Sequence, residues 1–66
     1  MQIRLNGQSQ SISEDLNLAD LLARFEVDPR KVAVAKNLEV VVRSELDRTM
    51  LRDGDEIEIF QAVGGG

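Results

Sequence analysis

What this chain can fold into is narrowed most by one apolar stripe of helical period. Leu18, Leu21, Leu22 and Phe25 recur at i, i+3, i+4 and i+7, which is one face of a helix. Asn17 is a suitable N-cap, and Asp20 places a carboxylate near the positive end of the helix. Leu16 and Leu21 occupy the two positions of a hydrophobic staple. Pro29 is expected to stop the helix, with Asp28 before it already pushed out of helical geometry. In a chain of 66 residues little else could cover one face of a sheet, so the stripe is assigned to the core rather than to a partner.

Short strands surround this helix. Met1, Ile3 and Leu5 alternate with Gln2, Arg4 and Asn6, as in a half-buried strand. Asn6-Gly7 predicts a type I′ hairpin, whose two central residues need positive φ. A two-residue turn pairs Ile3 with Gln10 and Met1 with Ile12, which leaves Gln8 and Gln10 on the face of Ile12. Either those glutamines lie at an open edge or the loop is longer. Val32 to Lys36 reads as a strand with Val32 and Val34 under the helix and the small Ala33 and Ala35 on the opposite, accessible face. A turn is expected at Asn37, Leu38 and Glu39, then a strand from Val40 to Val42. Ser44 with Asp47 resembles a capping box for one helical turn, and Met50 and Leu51 are expected to plug the core beneath it. Asp53-Gly54-Asp55 is a tight turn that launches Glu56 to Phe60, with Ile57 and Ile59 pointing inward and Glu56 and Glu58 outward. The predicted class is α+β: a single domain over residues 1–66, with a mixed sheet of about five strands and one main helix across one face.

Composition limits the chemistry. A chain this short buries only about 60% of its unfolded surface, which gives a thin core. Cysteine and histidine are both absent, which excludes a thiol nucleophile, a side-chain persulfide, an imidazole base and the usual zinc ligands. Asp53 and Asp55 lack the further ligands of a calcium loop, so no metal is expected. No glycine-rich phosphate loop opens a helix, so no nucleotide cofactor is expected on this chain. Twelve acidic against eight basic side chains give a net charge of −4, which argues against nucleic-acid binding. No apolar run approaches the ~20 residues of a membrane span. The start, Met1 to Leu5, lacks the regions of a signal peptide, and a cytoplasmic location is expected.

One stretch remains. Ala62-Val63-Gly64-Gly65-Gly66 follows the last strand with no linker and is expected to be a flexible tail over residues 62–66. Glycine runs are often ordinary linkers, and chain ends fray. The other reading is a reactive tail. Without a Cβ such a segment can thread a narrow channel, and a glycyl carboxylate, once converted to an acyl-adenylate, is an unhindered electrophile. If this chain handles sulfur, only its C-terminus can hold it.

Taken together, the Met-Gln-Ile start with Asn6-Gly7, Val32-Ala33-Val34-Ala35 leading into Asn37, Asp53-Gly54-Asp55 with Glu56 to Phe60, and the terminal glycines resemble the ThiS family over essentially the whole chain. That family comprises the small ubiquitin-like β-grasp sulfur carriers of thiazole (thiamine) biosynthesis. The resemblance implies a β-grasp fold with the first and last strands side by side at the sheet centre. It implies that the carboxyl of Gly66 is adenylated by an E1-like enzyme, which binds the ATP, and is then converted to a thiocarboxylate. A sulfur-donating enzyme and thiazole synthase are the further implied partners. Gly65 completes the family's di-glycine, and Gly64 is one glycine more. The chain would then be a carrier and co-substrate, not an enzyme. Two alternatives stay open: a carrier of the molybdopterin synthase small-subunit type, and a β-grasp binding module like the TGS domains. A docking patch for the adenylating enzyme is expected at Phe60, Ala33 and Ala35, continuing into Ala62 and Val63. Strict alternation turns Phe60 outward, whereas a bulge near the strand end would turn it into the core.

Overall fold

The computed structural model describes residues 1–13 and 15–61. Its strands are β1 (Gln2–Leu5), β2 (Gln8–Ser11), β3 (Val32–Lys36), β4 (Glu39–Val41) and β5 (Glu56–Gln61), and its one α-helix is α1 (Leu18–Arg24). They form one mixed sheet in the order β2-β1-β5-β3-β4. β1 and β5 run parallel, and the other neighbours are antiparallel.

The first hairpin has the two-residue turn. Asn6 and Gly7 take φ of 51° and 83°, and Ile3 pairs with Gln10. The Ile12 N–H donates to Met1 O at 2.8 Å, which extends the same register. β2 is an edge strand, so Gln8 is exposed and Gln10 half-buried without conflict.

Helix α1 starts where expected: Asn17 Oδ1 accepts the Asp20 N–H at 2.7 Å. It ends earlier than Pro29. Phe25 is the C-cap and Glu26 is left-handed at φ 58°. The Val27 N–H donates to Leu22 O (2.9 Å) and the Glu26 N–H to Ala23 O (3.1 Å), the bond pattern of a Schellman motif. Glycine usually marks that stop, and here a glutamate holds the position. Val27 packs on the core just past the last turn, and Phe25 is left 38% exposed, outside the stripe it was assigned to. Pro29 instead opens a 3₁₀ turn, Pro29–Lys31, capped by Asp28. The Arg30 side chain and backbone N–H bonded to Asp28 lower its carboxyl to about 2. That contribution is present above the ordinary value of 3.8 and is lost as pH falls towards about 2.

The second hairpin uses a turn of the same kind without glycine. Asn37 and Leu38 both have positive φ, 51° and 72°, and Glu39 pairs with Lys36, so β4 starts one residue earlier than expected. A 3₁₀ segment, Arg43–Arg48, follows. Its N-cap is Val42 with no side-chain cap bond, so Ser44 lies inside the first turn and is not the cap of a Ser44–Asp47 box. Leu46 from this segment fills the core. Leu51 is buried, but Met50 is exposed. The stretch is extended there, with Asn17 bridged to Met50, and consecutive residues of an extended chain face opposite ways.

The core consists of Ile3, Leu5, Ile12, Leu18, Leu21, Leu22, Val34, Leu46, Leu51 and Ile57, with Ile59 and Val32 half-buried against it. Leu22 is fully buried, so Leu22→Ala is expected to cost about 2–5 kcal/mol in urea denaturation, and Phe25→Ala less than about 1.5. Glu26→Gly relieves a left-handed Cβ conflict and is expected to stabilise the domain by roughly 0.5–1 kcal/mol in the same assay.

Candidate functional site

The last strand is held from both sides. On one side the Arg4 N–H donates to Asp55 O and the Asn6 N–H to Ile57 O, each at 2.9 Å. On the other side β3 pairs with β5 from Ile57 (opposite Lys36) to Gln61 (opposite Val32). The two asparagines that start the hairpin turns add side-chain bonds. Asn6 Oδ1 accepts the Ile59 N–H at 2.8 Å, and Asn37 Oδ1 accepts the Glu56 N–H at 2.9 Å. Asn37 Nδ2 also donates to Asp55 Oδ1 at 3.0 Å. Asp55 is buried; its Oδ2 takes the Arg52 N–H at 2.8 Å and lies 3.9 Å from Lys36 Nζ. Asp53 Oδ1 accepts the Gln2 N–H at 2.7 Å. Both aspartates therefore brace the turn that launches β5.

The β1 ladder with β5 ends at Leu5 opposite Ile57, because β1 turns away at Asn6. Phe60 and Gln61 pair with β3 alone among the described residues. The chain thus continues towards Ala62 from a central strand whose end is open on one side. Arg30 and Lys31 stand beside this end, since Val32 is the partner of Gln61.

Phe60 turns outward and is 51% exposed, with Ala33 opposite it and also exposed. No bulge turns the ring into the core. The accessible strip expected at Ala33 and Ala35 holds only at Ala33. Ala35 is 5% exposed, because its methyl lies between Glu58 on β5 and Val40 on β4. Val40 is itself 72% exposed and carries the apolar strip to the sheet edge. Only the cross-strand register reveals that Val40 belongs with Ala33 and Phe60. The expected site residues Ala62, Val63, Gly64, Gly65 and Gly66 lie outside the described residues.

Two grooves, of about 310 and 530 Å³, both lined in part by Lys36, lie at the other end of β3. From Lys36 to Val32 the strand runs about 13 Å at the usual rise per residue. Among the described residues no cluster of acidic, His or Cys side chains could hold a metal ion, and no helix is long and apolar enough to cross a membrane.

A mixed five-stranded sheet with its first and last strands parallel at the centre and one helix across one face is a β-grasp domain. The profile of the ThiS family matches residues 3–66. The sulfur carrier protein ThiS of Escherichia coli is 30% identical over 66 residues, all of both chains. The solved structure of the thiamine biosynthesis protein ThiS from Geobacter metallireducens superposes with a TM-score of 0.89 at 35% identity, covering 100% of both chains. A thiazole synthase of Paramagnetospirillum magneticum is 39% identical over the whole of this chain, which spans only 20% of that relative's length. The chain belongs to the ThiS family.

Because Phe60 is half exposed and outside the core, Phe60→Ala is expected to change stability by less than about 1 kcal/mol, measured by thermal melting.

Proposed function

We propose that this chain is the sulfur carrier of thiazole formation in thiamine biosynthesis. The observation that carries the reading is the match over the full chain to ThiS carriers, with only two residues in sequence between the central strand and Gly64-Gly65-Gly66. The sequence holds no cysteine and no histidine, so the Gly66 carboxyl is the group left to bear sulfur.

In the proposed cycle an oxygen of the Gly66 carboxylate bonds to the α-phosphorus of ATP on an E1-like partner, and pyrophosphate leaves. Sulfur supplied at the sulfide level by a donating enzyme then attacks the glycyl carbonyl and displaces AMP, giving the thiocarboxylate. Thiazole synthase takes that sulfur. The match of this chain to one fifth of the length of a thiazole synthase supports the last partner. Gly65 and Gly64 supply a slim segment for the partner's channel. Phe60 and Ala33, with Ala62 and Val63 beyond them, form the surface that docks the adenylating enzyme. An exposed aromatic ring next to the reacting tail is the kind of residue that anchors an interface. As a carrier passed between enzymes, the protein is placed in the cytoplasm.

The test is the intact mass of the protein purified from its own cell. A form heavier by the difference between sulfur and oxygen is expected, and its absence during active thiamine synthesis counts against the assignment. Loss of Gly66, or a residue added after it, is expected to abolish adenylation with an unchanged melting temperature. Gly65→Ala is expected to be defective too, because a Cβ restricts both the backbone and the fit. Phe60→Ala is expected to weaken binding of the adenylating enzyme by ~2 kcal/mol, measured by calorimetry.

A further inference from the structure

The two grooves that meet at Lys36 differ in charge. The smaller sets Glu39 and Glu45 against Lys36, a net of one negative charge. The larger, of about 530 Å³, sets Lys36, Arg48 and Arg52 against a single carboxylate, Asp55, a net of two positive charges. Three of the chain's eight basic side chains therefore line one groove, in a protein whose own net charge is −4.

Asp55 places two of these cations without using up their donors. Its Oδ2 accepts the backbone N–H of Arg52 at 2.8 Å, which fixes the chain there but not the guanidinium. Lys36 Nζ stands 3.9 Å from the same oxygen, an ion pair too long for a hydrogen bond, so its N–H groups remain available to another acceptor. The Lys36 side chain is only 25% exposed. Its stem is packed, and its ammonium is held at the groove before any ligand arrives. Asp55 Oδ1 is taken by the Asn37 amide at 3.0 Å, so the carboxylate is engaged within the fold. Arg48 reaches Glu45 only at 3.5 Å, with both side chains well exposed, and such a pair is worth little. Among the described residues the Arg52 guanidinium has no ion pair.

We propose that this groove binds a small phosphate monoester, with its phosphoryl oxygens held by Lys36, Arg48 and Arg52. Such a group carries about −1.5 to −2 charge at neutral pH, which matches the surplus of two, whereas a carboxylate offsets half of it. Guanidinium forks suit phosphoryl oxygens, and the ammonium adds a point charge. The groove has the volume of a small-ligand site. Met50, exposed on its lining, offers a pliable apolar contact for the organic part. The site lies at the Lys36 end of β3, opposite the end where Val32 pairs with Gln61, so a bound ligand leaves Gln61 uncovered. This inference does not depend on the sulfur-carrier reading.

The test is an amide chemical-shift titration of the full chain with glycerol 3-phosphate at constant ionic strength, with acetate as the singly charged control. Saturable shifts of the Asn37, Met50 and Arg52 amides are expected, with a Kd of about 1 mM, the weak end of the affinity scale. Acetate at the same concentrations is expected to leave them in place. Arg48→Gln and Arg52→Gln should each weaken binding about 5-fold or more. Their melting temperatures should not change, because both side chains are exposed. Arg52→Lys, which keeps the charge, should lose less than Arg52→Gln. Shifts that do not saturate by about 20 mM, well above the expected Kd, overturn the proposal. So do equal shifts with acetate, which would report general screening of charge, and shifts centred on Arg30 and Lys31. An affinity indifferent to both arginine substitutions overturns it too.

Discussion

The parallel pairing of β1 with β5 joins the two ends of the chain, and the other elements are arranged to permit it. A parallel pair cannot be closed by a hairpin; it needs a crossover, and the whole stretch from β2 to the turn at Asp53 serves as one. Helix α1 supplies the apolar face that covers the joined strands, and Leu18, Leu21 and Leu22 are buried over Ile3, Leu5 and Ile57. Until these distant segments meet there is no core. The ordering entropy of the loop between them must therefore be lost before the burial that offsets it is gained.

Two asparagines make this arrangement specific. Asn6 and Asn37 each open a hairpin turn in the left-handed region, and each turns its side-chain oxygen to an N–H of β5. Asparagine tolerates that backbone and can bond locally, which explains its place at both turns. Leu38 has no such advantage at φ 72° and is 85% exposed, so the second hairpin holds a strained residue that its own contacts do not repay. Asp55 completes the clamp. Buried, it is matched on both oxygens by the Arg52 N–H and the Asn37 amide, with Lys36 nearby, so burial leaves none of its polar atoms unsatisfied.

The clamp fixes the last strand along its described length. Gln61 lies on a strand in the middle of the sheet, and the ring of Phe60 is displayed beside it. On the same face Ala33 lies opposite the ring and Glu58 two residues before it, and the exposed Val40 lies towards the sheet edge.

Local periodicity was enough to read β1, the Asn6-Gly7 turn, the start of α1 at Asn17 and the inward phase of Ile57, because each depends on neighbours within a few residues. It also gave Phe60 its outward phase. The stop of α1 was not legible, since Glu26 occupies a position where glycine is the usual sign, and Phe25 was therefore counted with the stripe. Met50 and Leu51 were assigned together to the core, but an extended segment can turn only one of them inward. Ala35 looked accessible because its own side chain is small; the side chains of Glu58 and Val40, brought beside it from other strands, bury it. The exposure of Val40 and the open edge of β4 follow from strand order in the same way. Which residues alternate, where the turns with positive φ begin and that glycines fill positions 64–66 could all be read from the chain, because they are short-range properties. Tertiary structure alone decided which strands are neighbours, because hydrogen bonds between distant segments leave no periodic trace in either one.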